Sequence, residues 1–357
     1  MRLLISALLL ATVAACANAA IEDGHPVDGT LHHPEGICLL GERVHVVSTN
    51  HDRRYRTGAL LTYSREAIQG GAALLPEAVR THLNGALPND FGAVLNLGAC
   101  IQPDGVQSGA LVLLDRVARS VVRFDAEADG SLRCPDGGCV VVALGGEDAE
   151  GSMTGSRDPG PAAVAGQQLL FSSRVDEQAT HLSEDGQLSR AGEAAASRPV
   201  VGGPWLLGRQ QGVALHLSDE GPSERVLLGF DGARWGVAGD NPGSGFALGR
   251  FGGLLIAFDD DGDALVSRWH AVLRGQRRRM VKAGDELLIF GGPDRVLERR
   301  SAHDGRLLGL IRDLSFEEPE GASLIANDQL LVTNFTGHAL TLVDLSDGSS
   351  RVVVQAP

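Results

Sequence analysis

Pro319-Glu320-Gly321-Ala322-Ser323-Leu324-Ile325-Ala326-Asn327-Asp328-Gln329-Leu330-Leu331-Val332-Thr333-Asn334 repeats, near the end of the chain, a pattern already present near its start. That first copy is Pro34-Glu35-Gly36-Ile37-Cys38-Leu39-Leu40-Gly41-Glu42-Arg43-Val44-His45-Val46-Val47-Ser48-Thr49-Asn50. Both read as Pro-Glu-Gly, an apolar strand, a polar turn, a second apolar strand and a Thr-Asn pair. Short apolar runs bounded by glycine and polar turn residues are the sequence signal of antiparallel strands. Pro159 to Arg174 is a looser copy, its second strand at Gln168-Leu169-Leu170-Phe171-Ser172-Ser173.

A second marker sets the period. An acidic residue followed by glycine recurs at Asp129-Gly130, Asp185-Gly186, Glu220-Gly221, Asp261-Gly262, Asp304-Gly305 and Asp347-Gly348, the last three 43 residues apart. Such pairs suit a tight hairpin turn because they tolerate positive φ. One period holds four short strands, and a degenerate first unit at Gly58 to Gly71 brings the count to seven. The expected fold class is all-β: a β-propeller of seven four-stranded blades, in which radial closure protects the strand edges. The count falls to six if the irregular unit from Pro199 to Phe230 merges with a neighbour. The segments 64–93 and 145–160 read as insertions, and Pro76 to Leu83 as one or two helical turns. Trp205, Trp235 and Trp269, about one unit apart, are expected at equivalent core positions.

Leu330-Leu331-Val332-Thr333-Asn334-Phe335-Thr336-Gly337-His338-Ala339-Leu340-Thr341-Leu342-Val343-Asp344-Leu345 resembles the blades of bacterial YncE-like and NHL-like propellers. The likeness extends by rhythm over most of residues 30 to 355 and implies a fold rather than an activity.

The N-terminus has its own logic. Met1-Arg2-Leu3-Leu4-Ile5 leads into Leu8-Leu9-Leu10-Ala11-Thr12-Val13-Ala14-Ala15-Cys16, a cation and an apolar run ending in small residues, as in a secretory signal peptide. Val13-Ala14-Ala15-Cys16 resembles the bacterial lipoprotein lipobox. That resemblance implies a signal peptide over 1–15, acylation of Cys16, a lipidated tether over 16–30 and the propeller over 31–357. Ala17, where an aspartate would retain the protein at the inner membrane, implies the outer membrane. The alternative is cleavage near Ala17-Asn18-Ala19 without lipid. With Cys16 acylated, four cysteines remain, an even number for an oxidising compartment. Cys134 and Cys139 flank a Pro-Asp-Gly turn and form the best local pair, which leaves Cys38 with Cys100.

A net charge of -14, with Lys282 the only lysine, argues against a nucleic-acid partner. The run Arg277-Arg278-Arg279 reads as a solvated loop. Arginines that follow second strands, among them Arg54, Arg116, Arg174 and Arg209, make an anionic protein or small-molecule ligand the expected partner at the propeller face. The membrane is met only through Cys16.

No Gly-x-Ser-x-Gly elbow is present, and no cysteine stands beside a partner histidine. The catalytic alternative rests on resemblance. Calcium-dependent lactonases share this fold and use a Glu, Asn and Asp set at the channel face, which here implies Ca²⁺ on Glu35, Asn50, Asp259 and Asn334. Repetition of Pro-Glu-Gly at both ends points instead to architecture, with the glutamate capping backbone amides. His25, His32, His33, His45 and His51 are numerous, but none stands in a His-Glu-x-x-His motif. His45 alternates with valines and is expected on one face of a sheet.

Overall fold

A computed structural model describes residues 31–49, 58–71, 75–80, 91, 95–102, 109–116, 120–135, 139–143, 146–147, 153–154, 159–166, 168–173, 178–184, 187–193, 198–208, 212–230, 232–312 and 314–355. The first sheet comprises β1 (Pro34–Leu40), β2 (Arg43–Ser48), β3 (Ala59–Ser64) and, after helix α1 (Arg65–Gly70), β4 (Ala78–Arg80). The second holds β5 (Leu95–Ile101), β6 (Ala110–Asp115), β7 (Ser120–Ala126), β8 (Leu132–Arg133) and β9 (Val140–Ala143), the last two both pairing with β7. A two-stranded ribbon, β10 (Gly146–Glu147) with β11 (Met153–Thr154), lies in the segment read as inserted.

The third sheet is β12 (Pro159–Ala165), β13 (Gln168–Ser173), β14 (Gln178–Leu182) and β15 (Leu188–Glu193). The fourth is β16 (Arg198–Val201), β17 (Trp205–Leu207), β18 (Val213–Ser218) and β19 (Gly221–Leu228). The fifth is β20 (Ala233–Ala238), β21 (Ser244–Gly249), β22 (Leu254–Asp260) and β23 (Ala264–Val272). The sixth is β24 (Arg279–Ala283), β25 (Glu286–Phe290), β26 (Leu297–Ser301) and β27 (Leu307–Ile311). The last is β28 (Pro319–Ala326), β29 (Gln329–Asn334), β30 (Ala339–Asp344) and β31 (Ser350–Gln355).

Within each sheet consecutive strands pair antiparallel, except that β9 pairs with β7 and not with β8. The fourth and fifth also join each other: β16 pairs parallel with β20, and β19 with β23, closing one eight-stranded path. The unit singled out as irregular, 199–230, is therefore the one that bonds to its neighbour, although it keeps its own four strands.

First strands pack side by side: β1 beside β5, β5 beside β12, then β16, β20, β24 and β28, with β28 again beside β1. The cores follow the same order. Val47, Leu60, Leu95 and Leu113 fill the space between the first and second sheets. Leu288, Phe290, Leu330 and Val332 fill that between the sixth and last. Val46, Leu61, Ile325 and Leu342 join the last sheet to the first. Each sheet thus buries both faces, which explains its near-continuous apolar strands.

The repeated Pro-Glu-Gly has a structural cause. The pairing register shifts between Pro34 and Gly36, between Pro159 and Ala162, and between Pro319 and Ala322, a β-bulge at the same place in all three copies. The glycine that follows is needed for close approach. A Cβ on Gly36 would lie 2.4 Å from Leu97 Cβ, and one on Gly321 2.6 Å from Glu35 O. Thr333 holds the last of these bulges, its Oγ1 accepting from Gly321 N–H (2.7 Å) and donating to Gly321 O (3.2 Å).

Three expectations are corrected. The helix lies at Arg65–Gly70, started by Ser64, whose side chain accepts from Ala67 N–H, and stopped at Gly71 with φ 74°. Within Pro76 to Leu83, residues 78–80 are instead strand β4, tied to β3 by pairing and by Glu77 N–H to Thr62 O (2.7 Å). The tryptophans are not equivalent: Trp205 is on a second strand, Trp235 on a first and Trp269 on a fourth. Arg277 is 1% exposed, because acidic partners on the loop and strand that follow take up its charge.

Candidate functional site

The bulges push two glutamates off the strand pleat where first strands begin, and each is met by the neighbouring first strand. The Asn96 amide, oriented to donate, bonds Glu35 Oε1 (2.9 Å) and Oε2 (2.6 Å) from β5. Glu320 is paired with Arg279 of β24, whose guanidinium also bonds the Glu320 carbonyl and lies 4.7 Å over the Trp235 ring. These contacts cross the seams between sheets. The glutamates are bonded to side chains of the adjoining sheet, in addition to any backbone amide they meet.

The calcium set is not assembled by the described residues. Asn334 is 1% exposed, its Oδ1 accepting from Glu317 N–H (3.1 Å) and its Nδ2 donating to Thr341 Oγ1 (2.7 Å). Asp259 pairs with Ser244, the first residue of β21, so it sits at the end of its sheet where β20 finishes. Glu35 and Asn334 sit at the ends where β1 and β28 begin. Asp259 is the penultimate residue of β22, a third strand, and its carboxylate meets Arg268 Nε at 3.2 Å. Asn50 lies outside the described residues.

Of the ligand-binding arginines, Arg116 is described and partly buried directly after β6, beside buried Asp115. Arg54, Arg174 and Arg209 lie outside the described residues, as does Cys16. A further arginine occupies the corresponding place in the fifth sheet: Arg250 directly follows β21, its guanidinium 5.1 Å over the ring of exposed Phe251. Its signal was available in the repeat, since Gly249-Arg250 follows a second strand as Asp115-Arg116 does.

Cys38 of β1 and Cys100 of β5 are bonded across the first seam (S–S 2.07 Å). The Cys134–Cys139 pair closes the loop between β8 and β9. His45 is buried inside the first sheet, Nε2 donating to Gly130 O (2.9 Å) and Nδ1 accepting from Thr62 Oγ1 (3.0 Å). Burial lowers its pKa to about 4, so the ring is neutral and structural.

A different histidine group gathers at the seam of last and first sheets. His32 and His33 precede β1, and His338 lies in the loop between β29 and β30. The His32 ring stacks on His338 at 4.7 Å with 6° between planes, and both meet the His33 ring at 4.4 Å. His33 N–H donates to His338 Nδ1 (3.0 Å), and His33 Nδ1 lies 3.1 Å from Phe335 O. His338 was missed from sequence because only the packing of β28 beside β1 brings it to residues some three hundred positions away.

No protein-family model and no curated protein sequence matches the chain. Solved structures do. Virginiamycin B lyase from Staphylococcus aureus superposes with a TM-score of 0.55 at 10% identity, over 86% of this chain and 92% of that one. A 6-phosphogluconolactonase-like protein from Bacteroides uniformis gives 0.54 at 13% identity, over 84% and 91%. The WD40 β-propeller domain of Doa1 gives 0.52 at 12% identity, over 87% and 94%. At such identities the likeness is one of fold, and that fold is the β-propeller.

Proposed function

We propose that this chain is a seven-bladed propeller, exported and tethered to the outer membrane through a lipid on Cys16, whose entry rim binds an anionic ligand. The blade count is supported by first strands that neighbour one another in a full cycle and by a core at the join of last sheet to first. The tether rests on the lipobox-like Val13-Ala14-Ala15-Cys16.

One observation carries the binding reading. Arginine recurs just after the second strand in four consecutive sheets: Arg116, Arg174 and Arg250 one residue after β6, β13 and β21, and Arg209 two residues after β17. In a chain of net charge -14 this places recurring positive charge at one position of the repeat. Two acids on the same rim, Glu35 and Glu320, are engaged by Asn96 and Arg279, and a third, Asp115, is buried beside Arg116. Guanidinium groups suit carboxylate, sulfate or phosphate. Engagement of Glu35 and Asn334 within the fold, and the place of Asp259, weigh against the calcium-hydrolase alternative.

The test is titration of the full chain with an acidic oligopeptide and with an anionic oligosaccharide at low and moderate salt. Binding that weakens about tenfold or more in Arg250→Glu and in Arg116→Gln, with melting unchanged in the former, supports the reading. Binding indifferent to both substitutions, or stoichiometric Ca²⁺ with lactone hydrolysis lost in Glu35→Gln, overturns it.

A further inference from the structure

We infer that His32, His33 and His338 form a site for one divalent transition-metal ion, Zn²⁺ by ligand type, clasping the first sheet to the last. This holds whatever the rim arginines bind.

The geometry comes first. One ring nitrogen from each histidine can be chosen so that all three lie within 4.8 Å of one another. In a tetrahedral zinc site, with Zn–N distances of about 2.0–2.1 Å, nitrogen ligands stand about 3.3 Å apart. Small side-chain rotations bridge that difference. Imidazole is a favoured ligand of zinc, and three histidines leave a coordination position for water or a bound group. His32 is buried while His33 and His338 are partly exposed, so the cluster has a dry side and an open one.

The surroundings give a second, separate observation. Metal-bound histidines usually donate their other ring N–H to a carbonyl or carboxylate, which fixes the tautomer. Phe335 O is placed to accept from His33 Nδ1 at 3.1 Å, leaving Nε2 as the ligand atom. His33 and His338 both adopt positive φ, 39° and 47°, a conformation uncommon outside glycine that concentrates at functional sites. Two such residues, one from each end of the propeller, turn their rings onto one another.

The His33 N–H bond to His338 Nδ1 sharpens the inference. If the ion takes Nδ1, it displaces this donor. If it takes Nε2, the neutral ring must carry its proton on Nδ1, which can no longer accept. Either way metal and this hydrogen bond exclude each other, so loading must alter the backbone environment of His33.

The experiment uses the full chain in detergent, purified without a polyhistidine tag, and Zn²⁺ alone as the probe. Equilibrium dialysis should give one Zn²⁺ per chain, Co²⁺ in its place should give tetrahedral d–d bands, and melting should rise with Zn²⁺. His338→Asn is the central variant. Asparagine tolerates positive φ, and its Oδ1 can accept from His33 N–H, so the loop keeps its fold while the ligand is lost. It should bind Zn²⁺ at least tenfold more weakly, as should His32→Ala. His303→Ala, whose side chain is 80% exposed in the sixth sheet, should bind as wild type does. No stoichiometric Zn²⁺ on the wild-type chain, or affinity unchanged in folded His338→Asn, overturns the inference.

Discussion

Arg277 and Glu298, 21 residues apart in the chain, bond at 3.0 Å with both side chains withdrawn from water, 1% and 0% exposed. The carboxylate holds a second guanidinium: Arg300 Nε and Nη2 donate to Glu298 Oε2 at 3.0 and 2.9 Å. Arg274 N–H donates to Oε1 as well, and Asp294 pairs with Arg277 from the solvent side. Burial alone would pull the Arg277 pKa down, but its bonds to Asp294 and Glu298 outweigh that and raise it. Arg300 also reaches Val272 O of β23, so the network ties the fifth sheet to the sixth.

Removing the shared acid should be costly. Glu298→Ala leaves Arg300 without its counter-charge and Arg277 with Asp294 alone, and a broken buried pair typically destabilises by about 3–5 kcal/mol. Glu298→Gln keeps the volume and should still lower the urea midpoint clearly. A midpoint within error of wild type in both variants would mean that the network contributes nothing net.

His45 sets a pH dependence whose sign follows from its lowered pKa of about 4, against 6.5 in an unfolded chain. Above pH 6.5 both states are neutral at this ring and it contributes nothing. Between 6.5 and about 4 the unfolded chain takes up a proton that the native ring refuses, so stability is lost as pH falls. The slope approaches about 1.4 kcal/mol per pH unit. Urea unfolding at pH 7.0, 5.5 and 4.5, roughly spanning that window, should show a steeper decline in wild type than in His45→Gln. Parallel declines would remove His45 as the cause.

How much of this was legible in the chain depends on whether the cause was local. The acid–glycine pairs first singled out are turn chemistry, and five of those six lie within the described residues at the turn from third to fourth strand: Asp129-Gly130, Glu220-Gly221, Asp261-Gly262, Asp304-Gly305 and Asp347-Gly348. In the first sheet helix α1 takes that place. Asp259 was expected at the channel face with Glu35, but it lies near the end of a third strand, and in a meander a third strand finishes at the end of the sheet opposite to that where a second strand does. Arg277 looked solvated because Asp294 and Glu298 are strangers to it in sequence. The tryptophans had no reason to recur at one position, since each fills its own gap: Trp235 donates to Met280 O across a seam, and Trp205 packs edge-on against Phe258.

The two disulfides should differ in weight. Cys38–Cys100 closes a loop of sequence separation 62 and Cys134–Cys139 one of 5. Loop-closure entropy gives about 4 kcal/mol for the first and about 2 kcal/mol for the second. Paired serine replacements, compared by denaturant midpoint, should therefore rank Cys38/Cys100 as the more damaging. The opposite ranking would mean that the unfolded chain already holds its first two sheets together.

Closure of the ring itself can be tested at Gly321. Its Cα faces Glu35 O and Gly36 Cα, so an added methyl would have to push β28 away from β1. Neither contact is a flexible side-chain tip that could swing aside, and overpacking of this kind costs about 1–3 kcal/mol or more. Gly309, on β27, has open space where a methyl would be added and serves as the control. Gly321→Ala should lower melting by several degrees, and Gly309→Ala should leave it nearly unchanged. The location of the damage is the sharper readout. If the last sheet closes on the first, amide exchange in Gly321→Ala should quicken along β1 and β28 while β16 and β20, bonded to each other far from the join, keep their protection. Loss spread evenly over all sheets would instead mean that the ring opens only as a whole.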